Sequence, residues 1–150
     1  MLMRILRLGL LAVMLAYAAF VLVMFVNQRS YVFGLDPSSE LNNPGALAIP
    51  GSTRVAIPTA DGETLAGWYL PPRDKDGPVF LFLHGKSGGL ERKKLRWQQI
   101  AEHGAGVLAL SYRGYPGSTG SPSEEGLYED ARAAFNWLAK RHGADQIVVH

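Results

Sequence analysis

The chain has 150 residues, no cysteine, 15 basic against 13 acidic residues and a net charge of +2; it is 47% hydrophobic and 19% charged. The missing thiols exclude disulfides, thiolate metal sites and a cysteine nucleophile, and the near balance of charge carries no nucleic-acid signature. Such a length and composition predict one globular domain with an added apolar segment.

The apolar segment comes first. From Leu8 to Val26, LGLLAVMLAYAAFVLVMFV holds no charged residue, and a helix of that length covers roughly 30 Å of hydrocarbon. Arg4, Arg7 and the α-amino group precede it, Arg29 follows, and Asp36 and Glu40 come later. The positive-inside rule then predicts a single-pass anchor with a cytoplasmic N-terminus and an exported remainder. Ala16-Tyr17-Ala18 also matches the A-x-A pattern of a cleavable signal peptide, whose removal would leave a secreted protein. The apolar run continues unbroken past that site to Val26, which favours the anchor. Residues 1–29 are therefore expected as cytoplasmic stub and transmembrane anchor, and 30–51, with Pro37, Pro44 and Pro50, as a linker. Residues 52–150 form the folded part.

There TRVAIPTADGETLAGWYL predicts two strands joined by a tight turn at Asp61-Gly62. PVFLFLH is apolar without alternation, as in a strand buried on both faces of a parallel sheet. LERKKLRWQQIAEHG predicts a helix with Leu95 and Ile100-Ala101 on its inner side and Gly104 as its C-terminal cap. GVLALSY is a second buried strand and RGYPGSTG a glycine-rich loop. Ser121-Pro122-Ser123-Glu124 has the pattern of a capping box with Pro at the first helical position, followed at helical spacing by Leu127, Ala131, Ala134-Phe135 and Leu138. QIVVH is a third apolar strand. Strands alternating with helices behind a hairpin predict an α/β fold with a doubly covered, largely parallel sheet.

Between PVFLFLH and the first helix stands Gly85-Lys86-Ser87-Gly88-Gly89, which has three readings. As the tail of a phosphate-binding P-loop it requires a first glycine where Phe80 stands, inside an apolar strand. As a G-x-S-x-G nucleophile elbow it matches in full and lies between strand and helix. Against the elbow, Asp130 falls on a predicted helix and His142 and His150 lie near the end of the chain, a poor supply of acid and base. In the third reading the turn after PVFLFLHG supplies a backbone N–H to an oxyanion hole, and its glycines let the backbone approach a substrate carbonyl.

HGKSGG at His84 to Gly89, SYRGYPGSTGSPSEEGLYED at Ser111 to Asp130 and the closing DQIVVH together resemble the α/β-hydrolase superfamily over roughly Thr53 to His150. The resemblance is nearest to membrane-anchored, lysophospholipase-like and serine-aminopeptidase-like members. It implies the N-terminal half of an α/β-hydrolase sheet, with an antiparallel hairpin followed by parallel strands and crossover helices. It also implies that the backbone N–H of Lys86 donates to the oxyanion, with His84, Gly85, Ser87, Tyr112, Arg113 and Gly114 shaping the adjacent loops. The family's nucleophile follows the fifth strand, here QIVVH, and its acid and histidine come later still. The complete form is thus expected to be a serine hydrolase that cleaves an ester, thioester or amide of a small acyl or peptide substrate through an acyl-serine, without cofactor or metal. This chain is then expected to be an inactive part whose partner is the bilayer; the alternative is a non-catalytic, membrane-tethered binding module.

Ordinary roles account for several other residues. His84 is expected to fix its own turn by hydrogen bonding, and His103 to be solvated. Arg92-Lys93-Lys94 with Arg96 is expected to be the wet face of a helix, with anionic lipid headgroups as the alternative contact. Ser118-Thr119-Gly120-Ser121 suits turn and cap duties, and Trp68, Trp97 and Trp137 suit the core or its rim.

Overall fold

The computed structural model describes residues 1–33, 48–85, 90 and 93–150. The chain divides into two compact units, Met1–Phe33 and Gly34–His150. The first is helix α1, Leu2–Phe33, which has no buried residue and is long and apolar enough to cross a membrane. The side-chain amide of Asn27 donates to the Val23 carbonyl at 2.8 Å, so this polar group is satisfied within the helix.

The second unit is a five-stranded sheet with a helix on each face. Its strands are β1 (Thr53–Pro58), β2 (Thr64–Leu70), β3 (Val79–Leu83), β4 (Gly106–Leu110) and β5 (Ile147–Val149). Helix α2 (Lys94–Glu102) links β3 to β4, and α3 (Glu124–Ala139) links β4 to β5. The spatial order is β1-β2-β4-β3-β5, antiparallel at β1-β2 and β2-β4 and parallel on both sides of β3. This is a partial α/β-hydrolase sheet, with the hairpin and crossover arrangement expected from the sequence.

The unalternating sequences of β3 and β4 reflect burial on both faces. On one face Val79, Leu81, Leu108 and Leu110 pack with Ile57 and Leu65 under Ala134 and Leu138 of α3. On the other, Phe82, Val107 and Ala109 pack with Ile49 and Leu90 under Trp97 of α2. All five residues of β4 are buried. The opposite case is β5, where Val148 and Val149 are exposed.

Three local expectations are corrected. The hairpin is not closed by a two-residue Asp61-Gly62 turn: Thr59 N–H donates to the Glu63 carbonyl at 2.9 Å around a three-residue loop, and only Gly62 has positive φ, at 93°. That loop type needs one glycine in the left-handed region and leaves Asp61 in ordinary backbone. Leu95 is 75% exposed, and Trp97 takes the inner side of α2 with Ile100 and Ala101. At the start of α3 the N-cap is Ser123, whose Oγ accepts the Gly126 N–H at 3.1 Å, so Pro122 precedes the helix. Gly126 has no side chain with which to return the bond of a capping box. The C-terminal end of α2 is as expected, with Gly104 N–H donating to the Ala101 carbonyl at 2.9 Å.

Candidate functional site

Parallel strands that send their crossover helices to opposite faces leave a crevice at their carboxyl ends. Here that edge carries His84-Gly85 after β3, Ser111 to Tyr115 after β4 and His150 after β5. The β5 end is locked to β3, with His150 N–H donating to the Leu81 carbonyl and Leu83 N–H to the His150 carbonyl.

His84 is buried, and both of its ring nitrogens are engaged. Nδ1 lies 2.9 Å from the Gly85 carbonyl oxygen, and Nε2 accepts the Tyr112 N–H at 3.4 Å. The rings of Tyr112 and Tyr115 stand edge-on to the imidazole at 5.0 and 4.6 Å. Burial pulls the His84 pKa below its ordinary value and pushes the Tyr112 phenol up to about 12, with Asp130 adding to the latter. The structure therefore joins the turn after β3 to the turn after β4 through one histidine.

Arg113 anchors the second turn. Its backbone N–H donates to Asp130 Oδ2 at 2.8 Å and its Nε–H to Asp130 Oδ1 at 2.8 Å. Its two terminal nitrogens reach Asp61 in the hairpin loop at 2.6 and 3.1 Å. Asp130 is completely buried at the inner stripe of α3, and the Arg113 side chain is 7% exposed. Gly126 makes room for this arrangement, since a Cβ there would lie 2.7 Å from Arg113 Cδ. The guanidinium, with Thr59 Oγ1 beside it, holds the Asp61 carboxyl at about 2.

The rest of the loop is fastened to β2. Ser118 Oγ accepts the Ala66 N–H and donates to the Ser111 carbonyl. Thr119 Oγ1 accepts the Thr64 N–H and donates to Glu63 Oε2, and Thr119 N–H donates to the Thr64 carbonyl. These are the turn duties expected of Ser118 and Thr119.

Of the residues singled out in the sequence, His84, Gly85, Tyr112, Arg113 and Gly114 gather at this edge. Lys86, Ser87, Gly88 and Gly89, on which the oxyanion-loop and elbow readings rest, lie outside the described residues. Phe80 sits inside β3, paired with Val107 and Val148, where the P-loop reading needs a loop. His142 is bonded to Tyr69 at 2.7 Å, and Asp130 is committed to Arg113. Among the described residues no serine hydroxyl is hydrogen-bonded to a histidine, and no cluster of side chains is able to hold a metal ion.

Sequence reasoning missed the Asp61–Arg113–Asp130 network. One signal was present: Asp130 stands four residues from Gly126 and from Ala134, on the stripe that faces the sheet. A charged residue at that spacing requires a buried partner. A cavity of about 1260 Å³ lies elsewhere, on the α2 face, lined among others by Arg73, Phe80, Arg96, Ile100 and His150.

No family model matches the chain. It is 37% identical over 128 residues to an uncharacterized protein of Mycobacterium tuberculosis, covering 82% of this chain and 44% of that protein. It is 34% identical over 92 residues to a lysophosphatidylserine lipase of Xenopus tropicalis, covering 60% of this chain and 24% of the lipase. Its fold matches the crystal structure of an alpha-beta hydrolase from Vibrio vulnificus with a TM-score of 0.61 and 29% identity, over 86% of this chain and 47% of that one. The chain thus spans less than half the length of each of these relatives.

Proposed function

We propose, from the α/β-hydrolase superfamily homology of this chain, that its complete form is a membrane-anchored serine hydrolase acting through an acyl-serine. The observation that carries this reading is the junction at the carboxyl edge, where His84-Gly85 of the turn after β3 meets Tyr112 of the turn after β4. In this reading the Lys86 amide donates to the oxyanion, a role worth about 3 kcal/mol of transition-state stabilisation. His84, Gly85, Ser87, Tyr112, Arg113 and Gly114 shape the site around it. The nucleophile, acid and base belong to sequence beyond the 150 residues, and residues 52–150 are the first part of the catalytic domain. The lipase activity named for the Xenopus relative favours an acyl ester, within a lysophospholipase-like group, over a peptide amide. Helix α1 is the anchor, with the N-terminus in the cytoplasm and the hydrolase domain exported.

Fluorophosphonate labelling tests the reading. The reading frame continued past His150 is expected to encode G-x-S-x-G within about five residues of β5, and the extended protein to label at that serine. The 150-residue chain is expected not to label. Ser87→Ala in the extended protein should lower the rate only modestly, because a backbone donor survives the substitution. Labelling of Ser87 itself would overturn the proposal and make Gly85 to Gly89 the elbow.

A further inference from the structure

We propose that His84 is a positioning residue that ties the Gly85 carbonyl to the turn after β4, and that it acts only as the neutral imidazole carrying its proton on Nδ1. The inference rests on the hydrolase reading and deepens it, since the Gly85 carbonyl it holds shares a peptide unit with the amide assigned there to the oxyanion.

The geometry admits one protonation state. A carbonyl oxygen only accepts, so Nδ1, at 2.9 Å from the Gly85 oxygen, must carry the hydrogen. A backbone N–H only donates, so Nε2, which faces the Tyr112 amide at 3.4 Å, must be bare. The other neutral tautomer breaks both contacts. The imidazolium turns Nε2–H against the Tyr112 N–H, two donors facing each other in a buried place, at the cost of the desolvated amide.

Burial works against the charged ring, and the Gly85 carbonyl that favours it is the smaller influence. Among the described residues the titratable groups facing the ring are the phenols of Tyr112 and Tyr115, which burial keeps protonated. Arg113 on the same turn is committed to Asp61 and Asp130. Among the described residues no carboxylate is hydrogen-bonded or paired to the imidazole. The consequence for the turn follows from covalent geometry. A peptide unit is planar, so a hand on the Gly85 carbonyl is also a hand on the N–H that shares its plane. His84 sets the orientation of that peptide and refers it to the β4 turn, which Arg113 has already fixed.

The test uses the full 150-residue chain in detergent micelles, labelled with ¹⁵N. Long-range ¹H–¹⁵N spectra at neutral pH should show His84 with a protonated Nδ1 and a bare Nε2. The Tyr112 amide should exchange about tenfold more slowly than in His84→Phe, the size of one modest hydrogen bond. Acidification through the His84 titration should erase that difference. His84→Asn, which keeps a donor near the Nδ1 position, should restore the Gly85 contact without restoring Tyr112 protection. An Nε2–H tautomer, or equal Tyr112 exchange in wild type and a folded His84→Phe, overturns the proposal. If His84→Phe does not fold, the wild-type ring spectrum and the acid dependence of Tyr112 exchange decide it. None of these readouts involves hydrolysis. The expected tautomer in a protein whose extended form fails to label leaves the His84 role standing and removes the hydrolase reading; the reverse pair of results does the opposite.

Discussion

Asp130 holds Arg113 by backbone and side chain at once, one carboxylate oxygen on the amide and the other on Nε, both at 2.8 Å. A helix and a loop are thereby pinned at a single residue. Asp130→Asn keeps the shape but leaves the guanidinium short of a buried anion, and is expected to cost about 3 kcal/mol. Asp61→Asn should cost much less, because that carboxylate is 42% exposed. Urea denaturation of the full chain in mild detergent, followed by tryptophan fluorescence, gives both values. Equal losses would show that Asp130 has no privileged place in the network.

Gly126→Ala sets two effects against each other. Alanine favours the helix by roughly 1 kcal/mol over glycine. Its Cβ, however, would sit 2.7 to 2.8 Å from Cδ, Nε and Nη1 of Arg113, whose guanidinium is held at the far side. Overpacking of this kind costs about 1–3 kcal/mol, so a net loss is expected, with a shift of the Arg113 Nε–H resonance. A gain in stability with that resonance unmoved would contradict the packing described.

Acid stability should carry the mark of Asp61. Its folded pKa, about 2, lies below the ordinary 3.8, so the folded state binds the proton less readily than the unfolded one. The stabilisation is present in full above about pH 4 and is lost as the pH falls from there through 2. Asp61→Asn should flatten the stability profile in that window alone, measured as denaturation midpoints across pH. An unchanged acid limb would show that Asp61 gains nothing from Arg113.

On α2 the contrast is between neighbours. Trp97→Ala empties a completely buried site and is expected to cost about 3–5 kcal/mol. Trp97→Phe should cost under about 1.5 kcal/mol, since among the described residues the indole N–H has no hydrogen-bond partner to lose. Leu95→Ala, at a 75% exposed position, should fall within about 0.5 kcal/mol of wild type. The same denaturation assay ranks all three.

Membrane topology has its own reporter. A periplasmic-type enzyme fused after Asn42 should be active outside the cytoplasm, and N-terminal sequencing should find the initiating end retained. A mature end just after Ala18 would reveal a cleaved signal peptide instead.

The sheet was legible in the sequence because β3 and β4 are apolar without alternation, which few other environments produce. The inner side of α2 was legible too, but through Trp97, Ile100 and Ala101, which follow i, i+3, i+4; Leu95 stands five residues before Ile100 and breaks that spacing. The loops at the carboxyl edge could be placed, since His84-Gly85 and Tyr112 to Gly114 each follow a strand. Their mutual bonds could not. Arg113 reaches Asp61 across 52 residues and Asp130 across 17, and pairings at such separations depend on how the strands are ordered in space, which local pattern does not encode.

The way Ser118 and Thr119 lie along β2 also bears on how the chain behaves in company. β2 pairs with β4 only from Gly67 to Leu70, so its first residues have no strand on that side. Two hydroxyls stand in for the absent neighbour at Thr64 and Ala66. Were the loop to lift, those amides would become a short bare template on which another molecule could add a strand. The glycine-rich loop thus covers an edge open to self-association, so a lesion in it should announce itself as aggregation.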